Sequence, residues 1–490
     1  MLTGSVLLRR LLLPLALLAA AGAAAEPPRL AGPTSAPAAG PAVQAGSKDP
    51  GALLLPPREI ASFPVSVRPP AGVEWTDRGP RFEDERLFLT GIAGTSRLHL
   101  AFYLPPNPAA EPDGALRDTV FAYSQDKDNP YRFGDFAYLS GAFGSAPYLA
   151  SVRAGKQVGT DTVGELHLLA GLTERGAYIC ELSVEPVPSG DLAAAVAAFL
   201  KQGLAYQGPL RDPEWTEEEV EKRILEDFPE SVREARQQVV RTKHYIVLGN
   251  SSGAKAFGRE IEEHYQRIQA TFPFPEIEGR RLMPVYLFRN RADYIEFYVH
   301  ITGGQVSREA AAQSGGHAWR DYYATHYESP KDPTHIHELT HQIFTNRLLL
   351  PGGGSWFQEG AAVFMETGYA PEEEQGVMNF GRAAAKKGEY QPFKQFMATE
   401  SLLYSNQGGE DGKPGAGPSA GQAYTQAGTI YWFVMKDPRT KAKAQEWVHA
   451  LGALPRGDLA AIEGALQRVY GVDIAGFEAM YLDFWKKPKK

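Results

Sequence analysis

The stretch 335-HIHELTHQIF-344 holds three histidines and one glutamate within seven positions. Asp332 and Pro333 precede it, and a capping carboxylate followed by proline predicts the start of a helix there. The helix is expected to run to about Leu349, because Pro351 and three glycines follow. The polar side chains of the stretch then project from one helix, so their spacing decides which of them can meet.

His337 and His341 are the two histidines of this helix that can bind one ion. They are four residues apart and project about 40° from each other, whereas His335 lies about 200° around from His337. The intervening Glu338 completes the pattern H-E-x-x-H, in which the glutamate stands beside the metal and acts on a metal-activated water. The competing interpretation is a surface helix with ordinary histidines.

A second helix is predicted in SWFQEGAAVFMETG (355–368). Ser355 with Gln358 three residues later is the pattern of a capping box, so this helix is expected to begin at Ser355. Glu359 falls in its first turn and is followed by one glycine and two alanines. These small side chains would let the helix lie close to the histidine helix and carry the carboxylate to the ion.

Together these residues predict a metal site. Two histidines and one glutamate are the ligand set of catalytic zinc, which keeps a fourth position for water, whereas structural zinc usually has four protein ligands. We therefore expect one Zn²⁺ per chain, bound by His337, His341 and Glu359. Glu366 lies two turns further along the same helical face and is an alternative ligand or a partner of a ligand. The other interpretation of Glu359 is a first-turn acid stabilised by the helix dipole.

Strand and helix patterns alternate before the histidine helix. In chain order they predict strand 244–249, helix 254–272, strand 283–288, helix 291–301 and strand 317–328. After about residue 370 the pattern is mainly helical, interrupted by a Gly- and Pro-rich stretch at 406–422 that is predicted to be a mobile loop. Residues 241–490 are therefore predicted to form one domain with a mainly helical C-terminal part.

The N-terminal residues are predicted to lie outside the fold. Residues 1–25 carry two arginines, a short apolar run and small residues before Glu26, which is the pattern of a secretory signal cleaved after Ala25. The apolar run is shorter than the ~20 residues that span a bilayer, and no later apolar segment reaches that length. Residues 26–58 are rich in Pro, Ala and Gly and are predicted to be a disordered linker. The mature protein is therefore expected to be exported, periplasmic or extracellular, without a stable membrane span.

Two further segments precede the domain at 241–490. Residues 59–210 contain short alternating runs and one helical pattern, which predict a β-rich α+β domain without a catalytic constellation. Residues 211–240 are highly charged and are predicted to be a connecting helix, with Thr216 as N-cap and Pro229 as a break.

Composition excludes some classes of protein. Apolar residues make up 43% and charged residues 22%, as in ordinary globular proteins. The formal charge of -8 argues against nucleic-acid binding, which needs concentrated Lys and Arg. Cys180 is the only cysteine, so an intrachain disulfide is impossible.

HELTH (337–341), followed after seventeen residues by the glutamate of WFQEGAA, resembles the gluzincin metallopeptidases. The likeness is closest to uncharacterised exported bacterial proteins with a peptidase-MA-like domain, and it covers about residues 240–440. It implies a zincin-like metallopeptidase domain after the β-rich N-terminal domain, so the chain as a whole is predicted to be α+β. It also implies that the strand 317–328 lines the substrate cleft.

The resemblance assigns roles to individual residues: zinc binding to His337, His341 and Glu359, and general-base catalysis to Glu338. Related domains carry a tyrosine on the helix after the motif, which makes Tyr424 the candidate for stabilising the transition state. Tyr322 and Tyr323 are the other candidates. The fourth residue after the third ligand is an aspartate in thermolysin-like enzymes, where it orients a zinc histidine; here it is Val363.

The function expected from the sequence is that of an exported zinc-dependent metallopeptidase. It would cut a peptide or protein substrate with a metal-activated water and Glu338 as general base. The alternative is a non-catalytic binding or scaffold protein of the cell envelope that keeps the zincin fold. Hydrolysis of a non-peptide amide is a third possibility that the sequence leaves open.

Overall fold

The computed structural model describes most of the chain between residues 53 and 486. The described ranges are 53–60, 63–105, 111–124, 129–134, 137–140, 148–173, 176–208, 212–277, 279–319, 321–327, 332–350, 352–399, 401–402, 419–452, 454 and 457–486. The predicted signal (1–25), most of the predicted linker (26–58) and most of the predicted loop (406–422) lie outside the described residues.

The chain divides into two compact units, Met1–Arg211 and Asp212–Lys490. The first is rich in strands and the second is mainly helical after its sheet, so the predicted α+β class is confirmed. No helix in the described part of the chain is long and apolar enough to cross a membrane.

The first unit is built on antiparallel strands. Its elements are β1 (Arg58–Glu59), β2 (Val65–Val67), β3 (Glu74–Asp77), β4 (Glu85–Ala93), β5 (Ser96–Tyr103), α1 (Pro112–Ser124), β6 (Tyr131–Phe133), β7 (Ala137–Ser140), β8 (Tyr148–Val158), β9 (Asp161–Thr173), β10 (Gly176–Glu185), α2 (Gly190–Gln202) and β11 (Leu204–Tyr206). An eight-stranded sheet has the order β3-β4-β5-β10-β9-β8-β6, with β7 also paired to β8, and a three-stranded sheet has the order β1-β2-β11.

Both faces of the eight-stranded sheet are buried, because side chains alternate between the faces of a strand. On β5, Leu100 and Phe102 join one hydrophobic cluster with Phe199 of α2, while Ala101 joins another with Leu116 of α1. The described part of this unit begins earlier than the predicted boundary at residue 59. Leu54 is buried, so apolar side chains at the end of the predicted linker belong to the folded unit.

The second unit contains one mixed sheet and most of the helices. Its elements are α3 (Glu217–Asp227), α4 (Glu230–Arg233), β12 (Gln238–Arg241), β13 (Tyr245–Gly249), α5 (Ala254–Thr271), β14 (Met283–Phe288), α6 (Arg291–Ile301), α7 (Arg308–Ala311), β15 (Gly316–Trp319), β16 (Tyr322–His326), α8 (Pro333–Asn346), α9 (Ser355–Thr367), α10 (Pro371–Lys387), α11 (Phe393–Met397), α12 (Ala420–Lys436), α13 (Pro438–Lys441), α14 (Ala444–Gly452), α15 (Leu459–Tyr470) and α16 (Ile474–Lys486). The sheet order is β12-β13-β14-β16-β15, in which β13, β14 and β16 are parallel and the outer strands are antiparallel to them.

Helices cover both faces of this sheet. Val285 of β14 faces a cluster that includes Ile261 of α5 and Leu339 of α8. Tyr286, the next residue, faces a cluster that includes Val220 of α3 and Phe297 of α6. The histidine helix α8 is therefore held against the sheet by its own apolar face.

The prediction that 211–240 is a connecting segment is wrong, although a helix forms in it and ends before Pro229 as predicted. This segment forms α3, α4 and β12, and Phe228 and Val232 belong to the buried cluster that contains Tyr286. Apolar side chains recur on one side of the charged sequence and pack on the sheet, so the segment is part of the second unit. Thr216 does cap α3, through a capping box.

The segment 317–328, predicted as one strand, forms the β15–β16 hairpin. Trp319 pairs with Tyr322 at the turn, and β15 lies at the edge of the sheet. Trp319 and Tyr322 both face the cluster that contains Tyr286, so the alternation of side chains shifts by one residue between the two strands. The capping box predicted at Ser355 is also wrong. Helix α9 does begin at Ser355, but its N-cap is Gly354, at φ 86°. Gln358 instead donates to two carbonyl oxygens of the loop before the helix.

Candidate metal centre

The start of α8 places the two predicted histidine ligands. Asp332 accepts a hydrogen bond from the backbone N–H of Thr334 at 2.9 Å and Pro333 is the first helical residue, as the sequence predicts. The helix ends at Asn346, three residues before the predicted Leu349. With the apolar face of α8 on the core, His337 and His341 lie on another face, their ring centres 4.9 Å apart.

Helix α9 brings Glu359 to both imidazoles. Nε2 of His337 and Nε2 of His341 each lie 3.2 Å from the same atom, Oε2 of Glu359. The side chains of the three residues are only 12%, 19% and 16% exposed, respectively. Gly360 and Ala361, which follow the glutamate, are buried. The sequence predicted that these small residues would face the histidine helix, but Gly360 lies against Ala427 of α12.

The donor set fits a zinc ion. Ligand bonds of about 2.0–2.1 Å in tetrahedral geometry place neighbouring donor atoms about 3.3 Å apart. The two observed nitrogen–oxygen separations are 3.2 Å. Across the described residues, His337, His341 and Glu359 are the single group of three or more His, Cys, Asp or Glu whose donor atoms all lie within 4.8 Å of one another.

Glu366 contacts the other side of the first histidine. Its Oε1 lies 2.9 Å from Nδ1 of His337. With a metal bound, a carboxylate at this nitrogen would hold the proton on Nδ1 and leave the lone pair of Nε2 for the ion. Glu359 and Glu366 are seven residues apart and therefore share one helical face. Glu366 therefore reaches His337 from the same helical face that carries Glu359.

The carboxyl of Glu338 lies beside the ligands and next to β15. It accepts a hydrogen bond from the backbone N–H of Ala318. Burial, together with the charge of Glu359, raises the pKa of Glu338, although the imidazoles of His337 and His341 oppose this shift. A carboxylate with a raised pKa is a stronger base than an exposed one, which suits a group that must accept a proton.

The pKa of Glu359 moves in the opposite direction. Burial alone would raise it, but the imidazoles of His341 and His337 hold the pKa of Glu359 well below its usual range. Burial would lower the pKa of His337, and the hydrogen bonds to Glu359 and Glu366 raise it instead. Two acids of the same site therefore differ in their affinity for a proton, which is a common feature of functional carboxylate pairs.

Of the candidate tyrosines, Tyr424 lies at the site. Its ring centre is 6.2 Å from that of His337, and its hydroxyl donates a hydrogen bond to Glu359. Burial and the charge of Glu359 raise the pKa of Tyr424, so the hydroxyl stays protonated. Tyr322 lies elsewhere, in the cluster on the other sheet face, where its hydroxyl is 3.2 Å from His317. Tyr323 is fully buried in the core beneath α8.

His335 is separate from the metal group, as its helical position predicts. Its Nδ1 lies 3.1 Å from Oε1 of Glu260 on α5, and its side chain is fully buried. Sequence reasoning missed this pair and the contact between Ala318 and Glu338. Both join residues that are far apart in the chain, and neither has a local sequence pattern.

Comparisons with known proteins do not identify the site. No protein-family model and no curated protein matches the chain. Among solved structures, similarity is found to the solution structure of the cyanobacterial PsbP protein (CyanoP) from Synechocystis sp. PCC 6803. The identity is 9% and the TM-score 0.24, over 34% of this chain and 99% of that one.

Proposed function

We propose that the chain is a zinc-dependent metallopeptidase of the gluzincin type. The observation that carries the proposal is the approach of His337 Nε2 and His341 Nε2 to one oxygen of Glu359, 3.2 Å from each. Two histidines and one glutamate leave a coordination position for water, as in catalytic zinc sites. Glu338 stands beside this group with a raised pKa, which a merely structural site does not require.

In the proposed reaction, Glu338 and Tyr424 would have different roles. When bound, zinc supplies an activated water with a pKa of about 7 and polarises the scissile carbonyl group. Glu338 accepts the proton of the attacking water and passes it to the leaving amine. Tyr424, whose hydroxyl remains protonated, can donate a hydrogen bond to the oxyanion of the tetrahedral intermediate.

The edge strand β15 supports a peptide as the substrate. It pairs with β16 at the end of the sheet order, and its Ala318 contacts the general base. An extended peptide can add to such an edge through main-chain hydrogen bonds, which would bring its carbonyl groups past Glu338. If residues 1–25 direct export as predicted, the substrate is met in the periplasm or outside the cell.

Metal content and peptide cleavage together test the proposal. We expect the purified protein to hold about one zinc per chain and to cleave a mixed peptide library, with cleavage abolished by a chelator and restored by zinc. Glu338→Gln should keep the zinc and lose cleavage by about 10²-fold or more. Glu372→Gln, an exposed acid on α10, is the matched control and should retain both.

The outcomes separate enzyme from scaffold. Zinc bound without cleavage of any peptide would favour the non-catalytic binding protein. Cleavage that survives Glu338→Gln would remove Glu338 as the base. A protein that takes up no zinc at neutral pH would contradict the proposal as a whole.

A further inference from the structure

A second candidate site lies at the other end of the histidine helix. A cavity of about 530 Å³ is bordered by Arg347 after α8, by the turn between β12 and β13, by α5 and by the loop before β14. Its volume is in the range of small-molecule sites. Arg347 is six residues beyond His341, about 9 Å along the helix axis, so the cavity is distinct from the metal group.

Arg347 gives this cavity a buried positive charge. The residue is 5% exposed, and its guanidinium donates to the carbonyl oxygens of Arg281 at 2.9 Å and of Asn346 at 3.4 Å. It also bonds the hydroxyl of Tyr265. Among the residues that the structure describes, none of the carboxylates forms an ion pair with Arg347. A buried cation paired only with neutral groups costs stability, which a bound anion would recover.

Other cations line the same cavity. Lys243, Arg280 and Arg281 contribute to the wall, against the acids Glu214 and Glu276. Counted with Arg347, four cations and two acids line the cavity, whereas the chain as a whole carries a formal charge of -8.

Neighbouring groups hold one of these cations and one of the acids in place. The guanidinium of Arg281 lies over the ring of Trp215 at 4.0 Å and is bonded to Glu219 at 2.8 Å. The carboxylate of Glu276 lies 3.4 Å from Nε2 of His244. Arg281 and Glu276 are therefore each held by contacts within the chain.

We propose that this cavity binds a compact polyanion whose oxygens, of phosphate or carboxylate type, accept hydrogen bonds from Arg347 and Lys243. Guanidinium groups match the paired oxygens of such anions, and the bonds are charge-assisted. Binding at this cavity does not depend on the proposed zinc chemistry, because no ligand of the metal group contributes to it.

Calorimetric titration of the full-length chain with pyrophosphate, and separately with citrate, tests the proposal and distinguishes the two anion types. The chain is first stripped of metal, and His337→Ala is titrated in parallel, so that an anion cannot bind through zinc. We expect a dissociation constant below about 1 mM for at least one anion. Loss of one charge-assisted hydrogen bond should weaken binding about 10- to 100-fold in Arg347→Gln and in Lys243→Ala. Lys222→Ala, an exposed cation on α3, should bind as the unchanged chain does.

Two results would overturn the inference. One is the absence of binding to the unchanged chain at millimolar concentrations of both anions. The other is an affinity that Arg347→Gln and Lys243→Ala leave as it was. If Arg347→Gln fails to fold, Lys243→Ala decides alone, because Lys243 is exposed and its truncation disturbs no buried contact.

Discussion

Glu338 and Glu359 occupy one small site, yet their pKa values shift in opposite directions. Glu359 lies against two imidazoles, so its charged form is favoured. Glu338 is pushed the other way by burial and by the negative charge of Glu359 itself. The difference arises from neighbours at contact distance, since both side chains are glutamates.

The opposite shifts predict opposite effects on the stability of the metal-free protein. The folded pKa of Glu338 is above its unfolded value of about 4.3, so its ionisation costs stability as pH rises above that value. Glu359 has a depressed folded pKa, so its contribution is present above the unfolded pKa and is lost as pH falls through the folded one. At pH 7.5 we expect Glu338→Gln to raise Tm and Glu359→Gln to lower it.

Thermal melts of chelated protein between pH 4 and 7.5 measure both effects. The gain in Glu338→Gln should shrink towards about pH 4, where the carboxyl group of Glu338 is mostly protonated in both the folded and the unfolded protein. The loss of Tm in Glu359→Gln should persist near about pH 4, because the pKa of Glu359 in the folded protein lies well below that pH. Shifts of equal sign in the two variants would show that the difference in environment is misassigned.

Glu366 is predicted to control zinc affinity without binding the ion. Removing a carboxylate that orients a zinc histidine typically costs 10- to 100-fold in affinity, so we expect Glu366→Gln to release zinc to a chromophoric chelator at correspondingly lower chelator concentration. Glu366→Asp, which keeps the charge, should recover part of the loss. Glu372→Gln is the control. If Glu366→Gln binds zinc as tightly as this control does, Glu366 does not affect zinc affinity.

At the scale of elements, the site depends on how closely α9 and α12 approach. A Cβ atom at Gly360 would lie 2.8 Å from Tyr431 and 2.9 Å from the carbonyl oxygen of Ala427. Gly428 of α12 faces Val363 in the same way, at 2.4 Å. Glycine at both positions lets the helices touch along their backbones, which holds Glu359 and Tyr424 at the same site.

Gly360→Ala is therefore expected to destabilise the protein by about 1–3 kcal/mol, because a backbone carbonyl must move. Helix propensity alone predicts a gain of about 1 kcal/mol. Gly376→Ala on α10, where a Cβ would meet nothing within 4 Å, is the matched control and should show that gain. Chemical denaturation measures both, and equal stabilisation in the two variants would disprove the close contact at Gly360.

Local patterns predicted individual elements well and their connections poorly. The helix predicted at 254–272 is observed as Ala254–Thr271, and the strand predicted at 283–288 as Met283–Phe288. The β15–β16 hairpin and the packing of α3 on the sheet were missed. Periodicity reports which side of an element is apolar, but it carries no information on where the chain reverses or which partner covers that side.

At the scale of the whole molecule, the candidate metal centre belongs to one unit. Every residue of the group lies within Asp212–Lys490, as do the apolar residues that pack α8 against the sheet. We expect a fragment of residues 212–490 to fold and to hold about one zinc per chain, measured by metal analysis after gel filtration. The fragment 53–211 should hold no zinc. If only the full chain retains zinc, the metal centre does not belong to the second unit alone.

The sequence by itself determined the two histidines, the glutamate between them and the helix that carries them, because helix geometry relates residues only a few positions apart. It also predicted Glu359, from an acid followed by small residues, although Gly360 packs against α12 and not against the histidine helix. Only the tertiary structure decided that Glu366 contacts His337, that Ala318 contacts Glu338 and that Arg347 faces a cavity. These contacts join elements that are distant in the chain, and their formation depends on how buried surfaces pack together, which no local pattern encodes.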